Sequence, residues 1–366
     1  MFYSSFVNLN SLHPNRLSWI AAILFTLVVP SNALRTEANQ ASNSNPSSSV
    51  SLSAAKVFLD QGNVSEAERS TRTYLNANPA SADGHFLLGL ILFRMIQASA
   101  PTNVMSGPAD APVHVLDPKF RDEQARASLA EFTEGAKYAK PSAFDLKIVA
   151  LDYVLLGSYS DASKWLERSV EWDPQDSEAW YYLGRAKYTE NRFDEAIQAF
   201  NKCLALDPHN VKAESNLGLS YAGQNHVAEA QAAFHQAIDW QADLPHKNPE
   251  PYIDLGDLLV QQGQAQEAVS FLLQAIQVDN RESRAHEKLG SAYLALDKLH
   301  LAQIEFEAAI ALEPEIARLH YLLGTAYRKQ GLRDKANVEF KRFEALKANP
   351  NRGLQLGTEM PKRPEP

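Results

Sequence analysis

The stretch that decides the fold runs from Ser177 to Asn210 and reads SEAWYYLGRAKYTENRFDEAIQAFNKCLALDPHN. Apolar side chains recur every three or four positions in two runs, Trp180 to Tyr188 and Phe193 to Leu204, and the polar residues Glu190 to Arg192 separate them. The second run ends before Pro208, which cannot continue a helix. This periodicity predicts two amphipathic helices of about a dozen residues each, joined by a short turn.

The same unit recurs along the chain. A glycine in the first helix and an alanine twelve residues later repeat at steps of 34, 38, 34 and 34 residues: Gly184, Gly218, Gly256, Gly290 and Gly324, with Ala196, Ala230, Ala268, Ala302 and Ala336. Glycine inside a helix costs about 1 kcal/mol relative to alanine, so five occurrences in register indicate a structural requirement. We expect each glycine to face its alanine where the two helices of a unit approach closely.

The full pattern is W-x2-L-G, then an aromatic residue, then A-x3-F and a closing proline, and it resembles the tetratricopeptide repeat. The resemblance implies an all-α fold, a right-handed superhelical solenoid of stacked helix-turn-helix repeats. Five units carry the pattern well, and they begin near Ser177, Val211, Pro249, Ser283 and Ala317. Three weaker copies precede them, so we expect about eight repeats over residues 48–350.

Two irregularities interrupt the period. A proline-rich insertion of about residues 97–121 splits the second unit, and its composition predicts a loop. Four extra residues before Pro249 lengthen one turn, and we expect them to alter the superhelical pitch slightly. Residues 351–366 read as a flexible tail.

The N-terminal residues predict export. Arg16 precedes the apolar run Leu17 to Val29, which is too short to span a bilayer, and the small residues Ser31 and Ala33 follow. We interpret residues 1–33 as a signal peptide, with an uncleaved anchor as the alternative, and residues 34–47 as a flexible Ser/Asn-rich spacer. The one cysteine, Cys203, cannot form an internal disulfide. The protein is therefore expected to be periplasmic or secreted, and to touch a membrane only through the signal peptide or a partner.

Composition and the resemblance together favour a binding protein. The formal net charge of −9 argues against general nucleic-acid binding. In the family that the chain resembles, the first helices line a concave groove, and the resemblance implies a protein or peptide partner there. The candidate contact residues are Tyr181, Tyr182, Arg185, Tyr188, Lys212, Asn216, Asp254, Asp257, Lys288, Arg318 and Tyr321. Tyrosine and arginine dominate binding hot spots, which makes the first four the best candidate for a contact centre.

No catalytic motif is present, so neither an enzyme activity nor a cofactor is expected. His286 and His320 occupy one slot in adjacent repeats, which lie too far apart to share a metal, and they are interpreted as buried or groove-lining. Asp254 and Asp257 are interpreted as a charged groove wall and not as an acid–base pair. The sequence therefore predicts an exported, non-catalytic scaffold. It leaves open a regulatory or substrate-presenting subunit of a cell-envelope enzyme or assembly complex, and a structural spacer or oligomerising rod.

Overall fold

The computed structural model describes residues 51–99 and 117–348, which form sixteen α-helices and no strand. The helices are α1 Leu52–Asp60, α2 Val64–Ala77, α3 Ala82–Ser99, α4 Pro118–Gly135, α5 Ala143–Leu155, α6 Tyr159–Trp172, α7 Ser177–Thr189, α8 Phe193–Leu206, α9 Val211–Gly223, α10 Val227–Trp240, α11 Glu250–Gln261, α12 Ala265–Val278, α13 Ser283–Ala295, α14 Leu299–Leu312, α15 Ala317–Lys329 and α16 Arg333–Ala348. The predicted signal peptide, the spacer and the tail lie outside the described residues. The all-α fold that the periodicity predicted is confirmed.

The helices follow one another in pairs that we number 1 to 8, with helix A first and helix B second. In seven pairs a residue with positive φ stands two positions before helix B: Gly62, Gly157, Asn191, Asn225, Gly263, Asp297 and Gly331. Glycine adopts this left-handed conformation at no steric cost, and asparagine and aspartate tolerate it better than most residues. The shared conformation explains why each turn is equally short and reverses the chain in the same way.

The chain divides into two compact units between Glu190 and Asn191. The first unit contains α1 to α7 and the second contains α8 to α16. Within each unit every helix packs against the helix before it and the helix after it. Each unit is therefore a stack of helices with a continuous apolar interior, as expected of a repeat protein.

The recurring glycines of the second unit make room for a side chain of helix B. A Cβ on Gly290 would lie 2.6 Å from the Phe306 ring, and one on Gly256 would lie 2.6 Å from Leu272. The expected glycine–alanine contact is therefore wrong in its partner, because the residue four positions after the alanine fills the space. The alanines are also buried, and Ala302 is fully enclosed.

The ends of the predicted insertion are helical and not loop. Helix α3 continues to Ser99 and α4 begins at Pro118, whereas the proline content predicted a loop over about residues 97–121. Pro118 is compatible with this helix because it stands at the first helical position, where the missing N–H has no partner to lose. Asp117 accepts a hydrogen bond from the Lys119 amide at 3.0 Å and caps the helix. Residues 100–116 are outside the described part of the chain.

The lengthened turn before α11 is held by one buried glutamine. The Gln241 side chain accepts a hydrogen bond from the Asn248 amide at 2.7 Å and donates one to the Asn248 carbonyl at 3.0 Å. Gln241 is almost completely buried. The extra residues are therefore closed into a defined loop by a two-way contact with the backbone.

Candidate functional site

In the second unit, side chains on successive A helices meet in a row of polar contacts that we call the A-face ladder. Arg284 on α13 donates to Asp254 on α11 at 3.0 Å, and Lys288 Nζ lies 2.7 Å from Asp257 Oδ2. Arg318 on α15 forms an ion pair with Glu287 on α13. Each contact joins a helix A to the helix A of the next repeat. The predicted residues Asp254, Asp257, Lys288 and Arg318 are thus brought onto one surface.

Asp254 lies inside the ladder. It is nearly buried, and the Ser215 hydroxyl donates to its second oxygen at 3.4 Å. Burial raises the pKa of Asp254 to about 7, although the neighbouring Arg284 favours the charged form. Asp254 therefore works as a link between helices, and little of its surface is left for a partner.

Lys212 and Asn216 lie on α9, the first A helix that belongs entirely to the second unit. The Asn216 amide donates to the backbone carbonyl of Lys212 at 2.8 Å, and the Asn216 side chain is largely buried. Lys212 is half-buried. Asn216 therefore offers a partner little surface.

Arg318 and Tyr321, at the end of the ladder on α15, are the most exposed of the predicted residues. The Arg318 side chain is 54% exposed and Tyr321 is 46% exposed. The Tyr321 ring stands 5.4 Å from the Phe343 ring and 5.9 Å from the Phe340 ring, both on α16. Two aromatic neighbours fix the position of a ring that still presents nearly half its surface to solvent.

The predicted contact centre on α7 differs from the expectation. Tyr182 is fully buried, and Tyr181 and Arg185 are 5% and 6% exposed, so only Tyr188 is half-exposed. Arg185 donates to the Tyr181 hydroxyl at 3.3 Å, and the two rings of Tyr181 and Tyr182 stand 5.3 Å apart. The prediction that Tyr182 faces a partner is wrong, because its ring is fully buried. Tyr181 and Arg185 likewise contribute mainly to packing.

Lys147 is an ionic residue of the first unit that the sequence analysis did not select. It is buried on α5, and its ammonium donates to Asp176 at 2.7 Å and to Glu178 at 2.9 Å. Burial alone would lower the pKa of Lys147, but the two carboxylates outweigh that effect and raise it. Asp176 also caps α7 through the Ala179 amide at 2.9 Å, so one carboxylate joins the helix start to the preceding A helix.

A sequence signal for these pairs exists. The partners stand 30 residues apart for Asp254 and Arg284, and 31 residues apart for Lys147 and Glu178. That separation equals the 34-residue repeat minus about one helical turn. It brings side chains of successive A helices side by side. Opposite charges at this separation predict a contact between neighbouring repeats.

The described helices define a class of protein, an α-helical repeat stack with a charged and aromatic helix-A face. None of these helices is both long enough and apolar enough to cross a membrane. The chain belongs to the tetratricopeptide repeat family. Tetratricopeptide repeat models match residues 177–210, residues 224–292, and residues 52–94 together with 287–340.

Curated relatives match this chain over parts of their length. The peroxisomal targeting signal receptor of Komagataella phaffii is 28% identical over 171 residues, which are 46% of this chain and 30% of that protein. Anaphase-promoting complex subunit 3 of Schizosaccharomyces pombe is 23% identical over 196 residues, 54% of this chain and 28% of that protein. The chain thus spans less than a third of these relatives.

Solved structures share the fold. A tetratricopeptide repeat protein from Parabacteroides merdae is 17% identical, with a TM-score of 0.55 over 75% of this chain and 96% of that one. The Cut9–Hcn1 hetero-tetramer of the anaphase-promoting complex contains a chain that is 16% identical, with a TM-score of 0.54 over 81% of this chain and 53% of that one. At these identities the similarity concerns the fold alone.

Proposed function

We propose that this protein is a non-catalytic scaffold that binds a protein or peptide segment along the A-face ladder of its second unit, with Arg318 and Tyr321 as the principal contacts. The observation that carries the proposal is their exposure, since other ladder residues are covered by their own partners. A positioned aromatic ring beside an arginine is the residue pairing found at binding hot spots. The names of two relatives, a targeting signal receptor and a subunit of a complex, support a role in protein recognition.

The ladder has a second role in this proposal. Because Asp254, Asp257 and Glu287 are already paired with cations, a partner meets a surface that is locally close to neutral. Binding energy then comes mainly from aromatic and van der Waals contact at Tyr321. The exposed Arg318 side chain, although paired with Glu287, has further N–H donors that orient the bound segment.

The test compares the two faces of pair 8. We expect the double variant with Arg318→Ala and Tyr321→Ala to lose at least about tenfold in affinity for a partner recovered by crosslinking to the full chain, which corresponds to about 1.4 kcal/mol. Lys341→Ala, an exposed change on α16, is the matched control and should leave binding unchanged. Equal affinity of the double variant and the wild type, with unchanged helix content, would exclude this site.

Self-association is a second candidate function, and exposed apolar side chains on the B helices favour it. Ile304 is 45% exposed on α14 and Val338 is 62% exposed on α16, and Leu273 and Leu301 are exposed as well. Exposed apolar side chains contribute to contacts between proteins where they lie together on a surface. Sedimentation velocity would then show a mass that rises with concentration, and Ile304→Lys with Val338→Lys would abolish the rise.

Export remains part of the proposal. The apolar run Leu17 to Val29 and the small residues Ser31 and Ala33 support a cleaved signal peptide. Mass spectrometry of the protein from cells should find a mature N-terminus after Ala33, in a periplasmic or secreted fraction. An intact Met1 in the cytosolic fraction would contradict export.

A further inference from the structure

Three repeats carry a histidine at the helix-A position that Trp180 occupies in pair 4, four residues before the recurring glycine. They are His85, His286 and His320. Trp180 uses this position to donate its ring N–H to the Pro174 carbonyl at 3.0 Å, in the turn that precedes its own helix. At this helix position, which we call the slot, a ring N–H can donate a hydrogen bond to a carbonyl of the preceding turn.

The histidines repeat this contact and add another. In each case Nε2 faces the carbonyl six residues earlier, at 2.9 Å for Pro79, 3.1 Å for Asn280 and 2.9 Å for Pro314. In each case Nδ1 lies 2.7 Å from a carboxylate on helix B of the same pair: Glu131, Glu305 or Glu339. We call this arrangement the His–Glu clasp. It connects helix A, helix B and the preceding turn through one ring.

Both partners of the ring only accept hydrogen bonds. A neutral imidazole has one N–H, so it can satisfy the carbonyl or the carboxylate but must turn a lone pair toward the other oxygen. The imidazolium has two N–H groups and satisfies both. The complete clasp is thus the protonated one.

The surroundings of His286 and His85 favour the same form. The hydrogen bond to Glu305 is the largest influence on His286, and it raises the pKa of the ring. Partial burial lowers the pKa, but nearby Glu282 also raises it, and the net pKa is raised. At His85 burial lowers the pKa, and the contacts with Glu131 and the Pro79 carbonyl, together with nearby Glu134, outweigh it and raise the pKa.

Other ionisable groups lie near the clasps. Arg284, two residues before His286, binds Asp254, whose raised pKa of about 7 makes that carboxyl titrate in the same pH range, and Tyr293 lies near Glu305 with a raised pKa that keeps its hydroxyl neutral. Near the clasp of His320, Arg342 on α16 binds Glu315 at 2.8 Å. The Tyr138 ring stacks on His85 at 6.1 Å between centroids.

We propose that the His–Glu clasps of His85 and His286 are protonation switches, which hold helix A, helix B and the preceding turn of pairs 2 and 7 together more tightly in mildly acidic than in alkaline solution. The device is independent of which partner the A-face ladder binds. The clasp of His286 lies in pair 7, which carries Arg284 and Lys288, so proton concentration sets the rigidity of that part of the ladder.

The direction of the effect follows from linkage. A histidine whose pKa in the folded protein exceeds its unfolded value, about 6.5, stabilises the fold fully below that value, and this contribution is lost as the pH rises through the higher folded pKa. Each unit of difference corresponds to about tenfold in the ratio of closed to open states. The loss therefore begins near pH 6.5 and is complete above the folded pKa.

Native-state hydrogen exchange of the full chain between pH 6 and pH 8, corrected for intrinsic rates, tests the proposal. In the wild type we expect protection of the α13 amides to fall as the pH rises. His286→Trp retains the ring N–H seen at Trp180 and removes the histidine, so the fall should become smaller in pair 7, where Asp254 beside Arg284 still titrates, and should persist unchanged in pair 2. Helix α7, with the non-titrating Trp180 in the slot, is the internal control and should not share the change. The same pH dependence of α13 in variant and wild type would overturn the proposal.

A second variant tests the proposal if the His286→Trp protein does not fold. Glu305→Gln keeps an oxygen acceptor of the same shape and removes its charge. Two-dimensional NMR titration of the histidine rings should give a His286 pKa above the ordinary value of about 6.5 in the wild type and a lower one in this variant. A His286 pKa that is ordinary or lower in the wild type, or unchanged in the variant, would overturn the proposal.

Discussion

Asp257 and Lys288 lie on successive A helices, with the carboxylate Oδ2 and the ammonium nitrogen 2.7 Å apart. Both side chains are partly screened from solvent, at 24% and 14% exposure, so the pair is stronger than a fully exposed one. Together with the ion pairs of Asp254 and Glu287, it joins pair 6 to pair 7 and pair 7 to pair 8 through charge as well as through the apolar interior.

Charge reversal tests this ladder. We expect Asp257→Lys or Lys288→Asp alone to lower stability by about 1 kcal/mol, because like charges then face each other. The double reversal should recover most of the loss, as measured by urea unfolding of the full chain. Asp334→Lys, an exposed change on α16, serves as the control. If the change in the free energy of unfolding of the double variant equals the sum of the two single changes, the two side chains are not coupled.

Gly290 distinguishes packing from helix propensity. Alanine is the better helix former by about 1 kcal/mol, so propensity alone predicts that Gly290→Ala stabilises the protein. Because the new Cβ would meet the Phe306 ring at 2.6 Å, we expect destabilisation of about 1–3 kcal/mol instead. A raised melting temperature of Gly290→Ala would contradict the assigned close approach.

Asp152 on α5 gives the first unit a dependence on pH. Its carboxyl is fully buried, one oxygen lies 2.6 Å from the Ser128 hydroxyl, and the other has no hydrogen-bond partner within the described residues. Burial raises the pKa of Asp152 well above its ordinary value, despite the Ser128 hydrogen bond. Asp152 is therefore buried as the neutral acid. Its contribution to the free energy of unfolding is largest at low pH and is lost as the pH rises through the pKa of Asp152 in the folded protein.

Asp152→Asn should consequently gain stability over the wild type as the pH rises from 5 to 8, because the amide never ionises. Urea unfolding midpoints at the two pH values provide the measurement. Asp83→Asn, at an exposed position on α3, is the control and should show no such trend. A constant difference between Asp152→Asn and the wild type would mean that Asp152 is not the titrating group.

Gln241 closes the long turn before α11. We expect Gln241→Ala to cost about 1–3 kcal/mol, since it leaves the Asn248 amide and carbonyl without their buried partner. Gln241→Glu keeps an acceptor for the amide and loses the donor, so its effect on Asn248 exchange should be smaller. Hydrogen exchange of the Asn248 amide reports on this directly, and equal protection in wild type and Gln241→Ala would exclude the role.

Local pattern was enough to predict the helices, because apolar period and turn residues act within one repeat. The same local reasoning did not reveal contacts between repeats. Tyr181, Tyr182 and Arg185 are all buried, and the pattern of one helix alone gives no sign of that burial. The recurring glycines correctly predict a close approach of the two helices, but the partner, Phe306 for Gly290, depends on how the two helices are shifted along each other.

The residues of the A-face ladder are predicted only in part, for the same reason. Asp257, Lys288, Arg318 and Tyr321 were selected by residue type, whereas Arg284 and Glu287 were missed, because their importance comes from partners about 30 residues away. His286 and His320 were recognised as one slot, but the third histidine was not, since the insertion hides the period. The carboxylates on helix B become visible as partners only when the pair is folded.

The most direct test of the account is site-specific photocrosslinking in the cells that make the protein. A photoreactive residue is placed at Tyr321 on helix A of pair 8, or at Val338 on helix B of the same pair. The account predicts a discrete crosslinked partner from position 321 and none from position 338, with the 321 product lost when Arg318→Ala is added. Crosslinking from position 338 alone would contradict the claim that the helix-A face is the binding surface.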